Sequence, residues 1–113
     1  GDANSRYKDF YDIYILADRN ELDGADLKEA IRKTFEHRKT EFDDIFVFKD
    51  DFATSEIHQS RWKAFLKKKK ALVSAEFDDV INLLRTLLLP IIDSITNDRE
   101  YTAKWDYKSK RWK

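Results

Sequence analysis

Acids and bases are spaced for shared chemistry in one stretch of this chain, Arg6-Tyr7-Lys8-Asp9-Phe10-Tyr11-Asp12. On a helix, residues three and four apart are neighbours, so Arg6 can reach Asp9 and Lys8 can reach Asp12. Asp9 and Asp12 project about 60° apart, which lets both approach one metal ion or one phosphate. A carboxylate there can take a proton from an attacking hydroxyl or help hold Mg²⁺, while a neighbouring cation offsets charge on a phosphoryl group in transfer. The same spacing also describes two helix-stabilising ion pairs. Periodicity alone favours the ion pairs.

Other catalytic signatures are missing. The two glycines, Gly1 and Gly24, exclude a glycine-rich phosphate loop. With no cysteine there is no disulfide framework, thiolate zinc site or thiol nucleophile. No serine lies in a nucleophile elbow. His37 and His58 are too far apart for a metal pair and are expected at the surface. Asp43-Asp44 and Asp50-Asp51 lack the glycine and ordered spacing of a cation loop.

The elements that must position the stripe are predicted helices. The first spans about Ser5 to Arg19, capped by Asn4 or Ser5, with Tyr7, Phe10, Tyr11, Ile13, Tyr14, Ile15 and Ala17 over most of its circumference. Glu21 to Gly24 reads as a turn, with Asp23 as cap. The second helix runs from about Ala25 to Lys39, burying Leu27, Ala30, Ile31, Thr34 and Phe35. Residues 40–53 show no helical period and read as an aromatic-anchored loop. The third helix spans about Glu56 to Lys70 after a Thr54 or Ser55 cap, with Ile57, Trp62, Phe65 and Leu66 inward. Its closing Lys67 to Lys70 suit the negative end of a helix dipole. The fourth, capped by Ser74, repeats apolar residues from Phe77 to Ile95 at helical spacing, with Pro90 expected to kink it. Tyr101, Ala103, Trp105 and Tyr107 alternate with polar residues, a strand period with no evident partner.

The predicted fold class is all-α: a compact bundle of about four helices over residues 1–98, followed by an aromatic-basic tail, 99–113. Composition agrees, since 113 residues fit one domain and 14% aromatics supply a core, whereas two Gly and one Pro suit few tight turns. Charge sums to zero but is blocked: residues 52–70 hold six bases and one acid, residues 71–98 five acids and one base, and the tail six bases and two acids. Such blocks neutralise one another across a fold, and a nucleic-acid binder typically has an overall basic excess that is missing here. The apolar run Leu87 to Ile92 falls short of a membrane span, and no leader is visible, so a cytoplasmic protein without membrane contact is expected. Absence of Met and the opening Gly1 suggest a segment of a longer polypeptide, although removal of an initiator Met gives the same start.

Arg6-x-Lys8-Asp9-Phe10-Tyr11-Asp12-Ile13 resembles the Arg-x-Lys-Asp-hydrophobic-x-Asp-hydrophobic motif of the AbiEii/AbiGii toxin nucleotidyltransferases. Similar features follow: Thr34-Phe35-Glu36-His37-Arg38-Lys39-Thr40 ending a helix, then Trp62-x-x-Phe65-Leu66, Phe77-x-x-Val80-Ile81 and Leu88-Leu89-Pro90-Ile91. The resemblance covers Arg6 to about Ile95.

It implies that the intact protein is a polymerase-β-like nucleotidyltransferase with a helical C-terminal domain. That family includes toxins of toxin–antitoxin and phage-abortive systems, some of which transfer nucleotides from NTPs to RNA, including tRNA. The family's Gly-Ser motif and Mg²⁺-holding Asp-x-Asp pair do not occur in this sequence. Lys8, Asp9 and Asp12 then form the last catalytic motif, with Asp9 the favoured acid and Asp12 either catalytic or structural. Mg²⁺ and NTP are implied for the intact parent, none for the fragment, which is expected to be inactive. Implied partners are the missing N-terminal nucleotidyltransferase domain, an RNA acceptor, a cognate antitoxin and, for the fragment, a second copy of itself. Lys67, Lys68, Lys104, Lys108 and Arg111 are candidates for RNA backbone contact, and Trp105 for base stacking. The rival expectation is a stand-alone all-α protein- or RNA-interaction module without catalysis, in which the stripe is plain ion pairing.

Overall fold

A computed structural model describes residues 3–34, 37, 49–71 and 74–113. Phe35, the predicted end of the second helix and the aromatic segment 40–48 lie outside these residues. The described chain is mainly helical: α1 (Ala3–Arg19), α2 (Gly24–Thr34), α3 (Lys49–Thr54), α4 (Glu56–Lys69) and α5 (Phe77–Thr96). Three short strands, β1 (Leu22–Asp23), β2 (Lys104–Asp106) and β3 (Arg111–Trp112), complete it.

Helix α5 is the spine. Its apolar residues recur at helical spacing and bury Phe77, Val80, Ile81, Leu84, Leu87, Leu88 and Ile91, and α1, α2, α3 and α4 all pack on it. Each such side chain contributes about 1.5–3 kcal/mol when fully buried. Buried Ser94 satisfies its hydroxyl by donating to the Ile91 carbonyl at 2.7 Å. Pro90 lies inside the helix without ending it. From α1, the rings of Tyr7, Phe10 and Tyr11 enter the core, together with Ala17. Ile13, Tyr14 and Ile15 pack at its edge.

The three tryptophans fasten elements to one another through the indole N–H. Trp62 of α4 donates to the Ala75 carbonyl at 2.8 Å, Trp105 of β2 to Ala17 at 2.8 Å, and Trp112 of β3 to Leu87 at 3.0 Å. A buried indole N–H without a partner would be costly, so each bond fixes a ring's position as well as its depth. The bond to Ala75 also explains where α5 starts. Residues 74–76 lead in outside the helix, with Glu76 extended (φ −70°, ψ 146°), so Glu76 rather than the expected Ser74 is the cap residue.

Several other expectations are corrected. Helix α1 begins at Ala3, so Asn4 and Ser5 lie within it. Residues 49–54, read as loop, form α3, and its Phe52 meets Phe10 edge-on at 6.0 Å. Ile57 is 63% exposed, because the inward arc of α4 passes through His58, Trp62 and Phe65 instead. Ala30 and Thr34 are exposed, leaving Ile31 buried and Leu27 half-buried on α2. The Ser55 cap agrees with expectation, its hydroxyl accepting from the His58 N–H.

The tail does find a partner. β2 lies between β1 and β3, all antiparallel, pairing Leu22 with Trp105, Asp23 with Lys104, and Trp105 with Trp112. The β2–β3 loop has no glycine. Instead Asp106 accepts from the Lys108 N–H at 3.0 Å and the Ser109 hydroxyl at 2.8 Å, and Lys110 takes the left-handed conformation at φ 57°. Asp23 caps α2 by accepting from the Asp26 N–H at 3.0 Å, and also meets Lys104. Gly24 follows at the tightest contact: its N–H donates to the Ala103 carbonyl at 2.9 Å, and a Cβ there would lie 2.5 Å from that oxygen and 2.7 Å from the Tyr101 ring.

This closure can be tested at Gly24 and at Asp106. Gly24→Ala must push the tail off α2 and should cost about 1–3 kcal/mol, read as a lowered melting temperature. Lys104 and the Asp26 N–H hold the Asp23 carboxyl below its ordinary pKa, and Lys113 and Ser109 do the same for Asp106. Folded pKa values below the unfolded ones give stability that is present above about pH 4 and lost as the pH falls further. Asp106→Asn should therefore lower the melting temperature at neutral pH, and its deficit against the parent should shrink in thermal melts below about pH 4.

Candidate functional site

The expected stripe lies on the N-terminal half of α1. Lys8 Nζ donates to Asp12 Oδ2 at 2.7 Å, and both side chains are at least half exposed. The Asp12 bond raises the pKa of Lys8, keeping a fixed cation at the surface. An exposed i,i+4 pair adds little stability, so the pair is open to exchange with an incoming anion. Asp9 is half-buried on the same helix. Arg6 places its guanidinium carbon 5.9 Å from the Phe52 ring centroid.

The helix is held in place by Tyr7, which is 1% exposed. Its ring meets Phe10, Trp62 and Phe77 edge-on at 6.0–6.4 Å. Its hydroxyl lies 2.8 Å from His58 Nδ1, close enough to Arg61 for that charge to act on it. Burial raises the phenol's pKa, opposed by the charges of Arg61 and Arg6. His58 is thus not the surface histidine expected from sequence. It is half-buried, stacked on Phe77 at 5.8 Å and packed against Phe52 at 4.4 Å.

The basic candidates divide into two groups. Lys67 and Lys68 are exposed in the last turn of α4, and the adjoining Lys69 Nζ sits 5.2 Å from the Tyr11 ring centroid, beside the stripe. Sequence reasoning missed Lys69 and Arg61 as neighbours of α1, because a contact between two helices leaves no spacing signal in either. The second group is on the tail. Lys104 pairs with Asp23, Lys108 Nζ lies 6.0 Å from the Tyr107 ring centroid, and Arg111 is exposed on β3. Lys110 binds Asp18 of α1 at 2.9 Å. Trp105 cannot stack on a base: it is 0% exposed, with its indole spent on Ala17. The tail's aromatic ring with cations around it is Tyr107, flanked by Lys108 and Lys110.

Among the described residues, no three or more Asp, Glu or His side chains converge where they could hold a metal ion. No described helix is long and apolar enough to cross a membrane.

Residues 1–83 match the family model for the nucleotidyl transferase AbiEii toxin of type IV toxin–antitoxin systems. No curated protein and no solved structure matches the chain. The matched residues contain the whole Lys8–Asp12 stripe, α2 and α4, and end within α5, ahead of the Leu88-Leu89-Pro90-Ile91 step and the strands of the tail. With nearly three quarters of its length matched, motif included, the chain belongs to the nucleotidyl transferase AbiEii toxin family.

Proposed function

We propose that this chain is the helical part of a nucleotidyltransferase toxin and that the stripe on α1 completes its active site. The observation that carries this reading is the motif itself, placed on helix α1 with Lys8 and Asp12 exposed and paired. The Asp9 carboxylate is the base that takes the proton from the acceptor hydroxyl as its oxygen bonds to the α-phosphorus of the NTP and pyrophosphate leaves, and Lys8 offsets charge on the phosphoryl group in transfer. Asp12 holds Lys8 in position. In the intact protein, Gly-Ser and Asp-x-Asp motifs outside these 113 residues, which contain neither, would hold Mg²⁺ and the NTP. Phosphoryl transfer needs its metal ligands and phosphate cradle together, so the chain alone transfers nothing. The acceptor in this reading is RNA, with tRNA the first to assay, the compartment is the cytoplasm, and a cognate antitoxin neutralises the intact toxin.

The test is Asp9→Asn in the intact protein, assayed with labelled NTPs and tRNA. Transfer should fall by about two to four orders of magnitude, the usual worth of a general base, while the melting temperature holds. Loss of stability with transfer per folded molecule unchanged would make the stripe structural. Mg²⁺-dependent transfer by the 113-residue chain alone would overturn the division of labour.

A further inference from the structure

The lysine run closing α4 has an obvious electrostatic reason to exist, the negative end of a helix dipole. That reason does not account for where the run points. His58, Phe65 and Lys69 share one face of α4, and each meets a tyrosine of α1: His58 meets Tyr7, Phe65 meets Tyr7 and Tyr11, and Lys69 meets Tyr11. The two helices therefore form a seam leading from the Tyr7 hydroxyl to the lysines. Trp62 on α4 and Phe10 on α1 turn to Phe77 of α5 and mark the closed side of this seam. Arg61, Lys68, Lys8 and Asp12 lie on the opposite sides of their helices and line its open rim. Arg61 and Lys68 are seven residues apart, two turns and about 10 Å along α4.

Charge on that rim is unbalanced. Lys8, Arg61, Lys68 and Lys69 are exposed, against one acid, Asp12, which is already bound to Lys8. Among the described residues none of Lys67 to Lys70 is ion-paired. Exposed cations beside an aromatic ring, of which Lys68 and Lys69 have no acidic partner among the described residues, running toward the Lys8–Asp12 pair, have the chemistry of a track for successive phosphates. The geometry points to the α1–α4 seam as the binding track for a single-stranded nucleic acid, with Arg61, Lys68 and Lys69 as positioning residues that bring the strand to the Lys8–Asp12 pair of the stripe. The identity of the polyanion rests on the transferase reading. The track itself rests on the seam.

The test is binding, which separates it from the fate of Asp9. Fluorescence anisotropy of a labelled single-stranded RNA is measured on the 113-residue chain across a salt series. The comparison is with Lys68→Gln/Lys69→Gln and, as a control on α2, Arg32→Gln/Lys33→Gln. Far-UV circular dichroism checks the fold of each. The α4 pair should weaken binding by roughly tenfold at low salt and flatten the log–log salt slope by about 1.4, or 0.7 for each phosphate no longer neutralised. The α2 pair should leave both unchanged, and ATP with Mg²⁺ should not displace the strand. Equal loss from both pairs, binding untouched by the α4 pair, or displacement by ATP at concentrations comparable to the RNA would each overturn the assignment. Transfer lost in Asp9→Asn with RNA binding intact leaves both proposals standing. Absence of transfer in the intact toxin removes only the reason for choosing RNA as the polyanion.

Discussion

A twenty-residue helix that is apolar around most of its girth cannot stand in water, and the architecture follows from covering α5. Four helices do so, and the aromatic rings of α1 fill the gaps that aliphatic side chains leave. The burden falls most heavily on α1. Its inner side must satisfy a crowded ring cluster centred on Tyr7, which fixes the helix's rotation. Once that rotation is set, Lys8 and Asp12 have one direction left, outward. The same packing that stabilises the bundle thereby orients the charged stripe, without any contact devoted to it.

The parts of this arrangement that were legible in the sequence are those with a period. Helix α5 declares itself through nine apolar residues from Phe77 to Ile95 at three- and four-residue spacing, and the Lys8–Asp12 pair through its i,i+4 relation. What was not legible depends on partners far along the chain. β1 is two residues long, too short for any alternation, and its partner is some eighty positions away. The six residues of α3 likewise complete no amphipathic pattern. His58 reads as a surface residue because nothing local distinguishes it. Only the packing of α4 on α1 and α5 brings Tyr7, Phe52 and Phe77 around it.

Tryptophan illustrates the same division. Composition suggests that the rings are buried or serve as stacking platforms. The structure spends all three indole N–H groups on backbone carbonyls of other segments. The apolar body of each ring supplies area, and its single donor supplies registry. In this small chain with no disulfide, these bonds do for the fold's uniqueness what cross-links do in secreted domains of similar size. The tail is therefore part of the core's boundary: Trp105 seals the C-terminal half of α1, and Trp112 reaches the middle of α5.

The pairing of β1 with β2 also has a consequence in time. Helices α1, α2, α4 and α5 are built from contacts within a few residues, which form quickly, whereas Leu22 meets Trp105 only after a loop of about eighty residues has closed. The entropic cost of that closure grows only logarithmically with loop length, about 0.6 kcal/mol for each doubling, so the final structure is little penalised. The order of events is constrained more strongly. A nascent chain makes its helices well before it can seat Trp105 on Ala17, and until then the C-terminal half of α1 lacks its cover. Seating the tail strands is the closing step of the bundle's assembly.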